Sequence, residues 1–189
     1  MIKIGILGSI GSGKSYVAKN FGYPVFNADL VVNKLYKYDR NIYNKLRKNL
    51  SKHIYSFPIN KIEISKAILA NRSNLKKIVK IVHIEVRKKM NIFLKKNKNK
   101  KIVVLDIPLL LENKINNKND VLVFVESKKS DIIQRLQKRK NFNQKLLNKF
   151  KDIQLPLDYK KKKSEFIIKN NFTKKAIKRA IRGILKEII

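Results

Sequence analysis

The sequence predicts an α/β fold, a parallel sheet with helices on both faces. Three features predict it. Continuous apolar runs recur at Ile2–Leu7, Lys101–Asp106 and Asp120–Val125. Runs without apolar–polar alternation suit strands buried on both sides. Stretches with apolar residues three and four apart separate them, which is helical spacing. A glycine-rich loop also joins the first run directly to a helix-compatible segment, as strand–helix alternation in a parallel sheet requires.

The elements follow in order. Ile2–Leu7 is the first strand, and a helix starts near Lys14 and is broken by Gly22-Tyr23-Pro24. Val25-Phe26 is a short second strand ending near Asn27-Ala28-Asp29. Helices are expected over about Asp29–Lys37, Arg40–Leu50, Ile62–Ala70 and Ser73–Lys96, with a loop at Phe57-Pro58. Pro108 stops the strand that ends at Asp106, because proline cannot donate to a ladder. After the strand at Asp120–Val125, Ser127 is a candidate cap for a helix over Lys129–Lys140. A polar helix over Asn143–Ile153, a strand at Phe166–Ile168 and a final helix to about Ile188, capped by Thr173, complete the chain. Parallel sheets bind ligands at the carboxyl ends of their strands, so Gly8, Asp29 and Asp106 are expected on one rim.

Gly8-Ser9-Ile10-Gly11-Ser12-Gly13-Lys14-Ser15 fits the phosphate-binding pattern of Gly, four variable residues, then Gly-Lys-Ser. Gly8, Gly11 and Gly13 let backbone N–H groups turn toward an anion, and Ser12 lies among them. The start of the next helix adds a favourable dipole. Lys14 brings a mobile positive charge for the β- and γ-phosphates, and the Ser15 hydroxyl suits Mg²⁺. ATP and Mg²⁺ are thus the expected cofactors. A plain glycine turn is the competing reading, but the upstream strand and the Lys-Ser pair weigh against it.

Size and composition narrow the classes. The 189 residues suit one domain, and 43% hydrophobic content is enough for a core. The absence of cysteine excludes disulfides and thiolate metal sites. No signal peptide is recognised, and no apolar run nears the roughly 20 residues of a membrane helix, so a cytoplasmic protein without membrane contact is expected. The formal charge of +33 would suit a nucleic-acid binder. The excess, however, is mostly lysine spread through the chain beside abundant Asn and Ile, a pattern of AT-rich coding. No specific nucleic-acid partner is expected, although the charge steers phosphorylated ligands inward.

Three further sites can carry phosphoryl-transfer chemistry. Asp106 ends an apolar strand, where it either holds Mg²⁺ or caps the turn at Ile107-Pro108. Asp29 precedes a helix, where it either takes a proton from an acceptor hydroxyl or caps the helix. Arg135 and Arg139, four apart, would share a helix face and either neutralise phosphate charge or form a solvated basic face. By spacing alone His83 is an ordinary helix histidine.

Taken together, these motifs resemble the dephospho-CoA kinase family nearly end to end. The family's Gly-Gly-Ile-Gly-Ser-Gly-Lys-Ser-Thr loop appears as Gly8–Tyr16, and its Asp-Ala-Asp as Asn27-Ala28-Asp29. Its His-Pro pair corresponds to His83-Ile84, and its Pro-Leu-Leu-x-Glu segment to Pro108–Glu112. Its Arg-x-x-x-Arg lid pair falls on Arg135 and Arg139, its lid glutamine on Gln154 and its late Ile-x-Asn on Ile168-Lys169-Asn170. The resemblance implies a P-loop kinase-type sheet with a helical acceptor-side subdomain at about residues 29–99 and a helical lid at about 135–165, within one domain. It implies transfer of the ATP γ-phosphate to the ribose 3′-hydroxyl of dephospho-CoA. Asp29, Lys14 and Arg139 would be catalytic, Arg135 would bind the nucleotide, and Tyr16, in place of the family's threonine, would lie beside it. Asp29, His83, Pro108 and Leu109 would bind the acceptor, and Ser15 and Asp106 the metal. A monomer or weak homo-oligomer is expected. Alternatives on the same fold are nucleoside monophosphate and shikimate kinases, and outside it a nucleic-acid-binding ATPase. Ser9, Tyr16, Asn27 and Ile84 depart from the family pattern. Ser9 is tolerated where φ is negative, and Ile84 in place of proline would loosen a helix start.

Overall fold

A computed structural model describes residues 1–140 and 142–189. The elements are β1 (Ile2–Gly8), α1 (Lys14–Asn20), β2 (Val25–Asn27), α2 (Ala28–Tyr38), α3 (Arg40–Asn49), α4 (Lys61–Ala70) and α5 (Arg72–Lys96). Then come β3 (Ile102–Asp106), β4 (Val121–Glu126), α6 (Lys129–Gln137), α7 (Gln144–Lys151), α8 (Leu157–Lys162), β5 (Phe166–Lys169) and α9 (Lys174–Ile188). The strands form one sheet in the order β2-β3-β1-β4-β5, and each pairing is parallel.

The described chain divides into two compact units. The first comprises Met1–Asn27, Asn97–Phe142 and Gln154–Ile189, and the second Ala28–Lys96 and Asn143–Ile153. The sheet lies in the first unit. Ile4, Ile6, Val104, Val123 and Ile168 meet Val17, Ala18 and Phe21 of α1 and Ile177, Ile181 and Ile184 of α9. On β1 the intervening Gly5 admits Leu110, whose Cδ2 lies 2.6 Å from where a Cβ on Gly5 would stand. That glycine allows the turn after β3 to press close against the sheet.

The second unit is helical, with α5 packed on α2, α3 and α4, and α4 on α7. Leu46, Ile54, Ile68, Leu75 and Val82 are among its buried side chains. Glu63 is 3% exposed. Its Oε2 accepts from the Tyr55 N–H at 2.9 Å and the Ser56 N–H at 3.3 Å, and its Oε1 accepts from the Ser56 hydroxyl. Burial pushes the carboxyl up. The Ser56 hydroxyl, the two amides and the Lys66 charge outweigh burial and hold it below the usual glutamate value.

Several local expectations are corrected. Helix α6 ends at Gln137, so Arg139 lies beyond it and the shared-face argument for Arg135 and Arg139 does not apply. Ser127 does not cap α6. Lys128 holds the N-cap position without a side-chain bond, and the Ser127 hydroxyl is used elsewhere. Thr173 occupies the N-cap of α9, but its hydroxyl bonds Asn171 Oδ1 at 2.8 Å. Helix α8 falls within the helical lid expected at about 135–165 but is not marked by apolar spacing, which its Lys160–Lys162 run masks. No helix starts at Ile84, since α5 passes through it from Arg72 to Lys96. A proline there would have removed an N–H from the helix interior.

Candidate active site

The phosphate-loop segment leaves the carboxyl end of β1 between two neighbours, with Gly5 beside Leu105 of β3 and Gly8 beside Val125 of β4. Its glycines are required by backbone geometry. Gly13 has φ +90°, and a Cβ there would lie 2.4 Å from Asn170 Nδ2 and 3.2 Å from Phe172 Cε1. Gly11, at φ +89°, packs on Ile132 and Leu136 of α6, each 3.0 Å from where a Cβ would stand. Among the described residues, Lys114 and Phe172 are the non-glycines with positive φ. Ser9 is not one of them, so its place in the glycine pattern is unstrained.

Ser12 is fully buried and acts through its carbonyl. That oxygen accepts from Asn170 Nδ2 at 2.7 Å and from Ser127 Oγ at 2.9 Å. The peptide bond is planar and trans, so fixing the Ser12 carbonyl fixes the Gly13 N–H in the opposite direction. The loop's donor geometry is thereby set by residues just after β5 and just after β4. Asn170 Oδ1 in turn accepts the Phe172 N–H at 2.8 Å. The Arg135 guanidinium stands 4.1 Å from the centre of the Phe172 ring, a cation–π contact on the same side of the fold as Gly13.

Lys14 opens α1, and its Nζ donates to the carbonyls of Gly8 at 3.1 Å and Ser9 at 2.7 Å. The ammonium is held over its own loop. Ser15 and Tyr16 occupy the exposed first turn of the same helix.

Asp106 ends β3 with 3% exposure, and β2 brings Asn27 directly opposite it. Asn27 Nδ2 donates to Asp106 Oδ2 at 2.5 Å. An aspartate at position 27 would set two carboxylates side by side here, whereas this chain has one carboxylate and one amide. After Ile107, Pro108–Lys114 form a run of turns closed by Asn113 N–H to Leu109 O at 3.2 Å and Ile115 N–H to Leu110 O at 3.0 Å.

The first unit thus gathers Gly8, Gly11, Ser12, Gly13, Lys14, Ser15, Tyr16, Asp106, Pro108, Leu109, Arg135 and Arg139. Asp29, in the first turn of α2, and His83, on α5, belong to the second. Sequence reasoning placed Asn170 in a motif without giving it a role, and it missed Ser127 and Phe172 as loop contacts. The available signal was position, since Ser127 and Asn170 both follow strand ends on the rim that carries Gly8. Among the described residues, no three or more His, Asp or Glu side chains group as a metal cluster. The start of α1 and the end of β3 offer the Ser15 hydroxyl and the Asp106 carboxylate as oxygen donors.

Comparison with known proteins fits this geometry. The dephospho-CoA kinase family model matches residues 2–175. A dephospho-CoA kinase of Wolbachia pipientis wMel is 36% identical over 190 residues, covering 98% of this chain and 97% of the relative. Among solved structures, a Thermus thermophilus protein superposes with a TM-score of 0.77 at 24% identity, covering 100% of this chain and 98% of its own. Dephospho-CoA kinase from Campylobacter jejuni superposes at 0.62 with 21% identity, covering 98% and 96%. The two structures share the fold, and the family match and curated relative go further: this chain belongs to the dephospho-CoA kinase family, ATP-dependent kinases that act on a hydroxyl group.

Proposed function

We propose that the protein transfers the γ-phosphate of ATP to the ribose 3′-hydroxyl of dephospho-CoA, giving CoA and ADP. The observation that carries this reading is the clamped phosphate loop with Lys14 at its mouth, beside a strand end bearing Asp106 and the Pro108–Glu112 turn. In this reading the loop amides and Lys14 hold the β- and γ-phosphates, and Lys14 exchanges the Gly8 and Ser9 carbonyls for phosphate oxygens. Asp29 accepts the proton of the 3′-hydroxyl as that oxygen bonds to the γ-phosphorus. The bond from phosphorus to the β–γ bridging oxygen breaks, and ADP leaves with the electron pair. Arg135 and Arg139 neutralise charge on the transferring group, with Arg135 also stacked on Phe172. His83, Pro108 and Leu109 contact the acceptor.

Mg²⁺ suits the available oxygen donors. Ser15 and Asp106 would hold it, Asn27 fixes one carboxylate oxygen of Asp106, and the ion would spread charge over the phosphates. Residues 29–99 serve as the acceptor-side part and residues 135–165 as the lid. We assign the reaction to the cytoplasm and expect no specific nucleic-acid partner. No described helix is long and apolar enough to cross a membrane.

The test is steady-state phosphorylation of dephospho-CoA by the purified protein with ATP and Mg²⁺, beside shikimate and nucleoside monophosphates. Turnover of dephospho-CoA well above the others is expected. Preference for another acceptor overturns the assignment.

A further inference from the structure

Lys160 is 1% exposed, an unusual burial for an ammonium group. Its Nζ lies 2.5 Å from Glu112 Oε1, and the Glu112 side chain is 9% exposed. The same Oε1 accepts the Leu155 N–H at 3.0 Å. One carboxylate on the turn after β3 therefore fastens both ends of the segment Leu155–Lys160, the backbone at one end and the ammonium at the other. Neighbouring bonds continue this anchoring. Lys161 pairs with Glu126 at the end of β4 at 2.6 Å, and the Glu165 N–H donates to Leu122 O at 3.0 Å. On the other side, fully buried Leu110 pins the same turn against Gly5.

A buried ion pair adds little net stability, because desolvation consumes most of the attraction, but it is a strict geometric constraint. Here the constraint acts on the segment Pro108–Glu112. With Leu110 and Glu112 both fastened, Pro108 and Leu109 cannot shift independently of Leu155–Lys160. We propose that Glu112 and Lys160 are positioning residues that hold Pro108 and Leu109 in the shape that receives the acceptor. This rests on the acceptor role given to that segment under the proposed function. Neither residue touches the substrate. Each acts through the turn that does.

The pair is tested with the double variant Glu112→Gln/Lys160→Met, which keeps the glutamate's length, shortens the lysine by one atom and strands no charge. The KM for dephospho-CoA is expected to rise about tenfold or more, with kcat and the KM for ATP within about threefold of wild type. An acceptor KM within about twofold of wild type overturns the proposal, as does an equal rise in both KM values. Should the variant not fold, hydrogen exchange on the wild-type protein decides. Dephospho-CoA is expected to slow exchange in both 108–115 and 154–163, and protection of neither or only one overturns the coupling. A wild-type protein inactive on dephospho-CoA overturns the proposed function itself. An active wild-type protein with an unmoved variant overturns only the positioning role.

Discussion

Asn170→Ala removes the side chain that joins the end of β5 to the phosphate loop. Two bonds are lost, Nδ2 to Ser12 O at 2.7 Å and Phe172 N–H to Oδ1 at 2.8 Å. The Ser12 carbonyl keeps Ser127 as a donor, so its loss is an ordinary net hydrogen bond, about 1 kcal/mol. The Phe172 N–H loses its acceptor at a half-buried position, which costs about 1–2 kcal/mol. The sum is about 2–3 kcal/mol, and for a chain of this size that lowers Tm by roughly 5–10 °C. The Gly13 peptide is also freed, and loss of one aligned donor weakens ATP about tenfold, equivalent to about 1.4 kcal/mol. Thermal melts and calorimetric titration with ATP read both effects. Combining the change with Ser127→Ala leaves the Ser12 carbonyl with neither donor. The double variant should therefore lose about 1–2 kcal/mol more than the sum of the singles. Additive singles, or an Asn170→Ala protein that melts and binds ATP like wild type, would show that the loop holds its shape unaided.

Two other predictions follow from single side chains. Asp29→Asn should lower turnover by about 10²–10⁴-fold, with the KM for ATP unchanged in initial-rate assays, because only proton acceptance is removed. Glu63 titrates below the usual glutamate value in the fold, so its contribution to stability is complete at neutral pH and fades as pH falls through that lowered value. The Tm gap between wild type and Glu63→Gln, followed from pH 7 downward, should be largest near neutrality and close in acid. A gap independent of pH would count against the carboxylate.

The strands β1, β3 and β4 were legible because burial on both faces demands unbroken apolar runs, and the loop because phosphate binding demands glycine at set intervals. What the sequence could not show was adjacency. The order β2-β3-β1-β4-β5 sets Asn27 opposite Asp106, 79 residues away along the chain. Ser127 illustrates the limit well. A serine just before a helix fits a cap locally, yet its hydroxyl satisfies a carbonyl 115 residues earlier. Helix α8 was hidden for another reason, since its one fully buried residue is a lysine whose partner, Glu112, lies in a distant turn. The contacts of Arg135 were equally invisible, because Phe172 reaches it from beyond β5 at a positive φ that sequence pattern assigns to glycine.

The bond from Asn170 to Ser12 spans 158 residues. During synthesis the loop emerges well before its clamp. The loop carbonyl therefore gains the second of its two clamping donors only when β5 joins the sheet. Nucleotide binding is then tighter in chains whose β5 has joined the sheet, and ATP, by mass action, favours those chains over ones that lack the clamp.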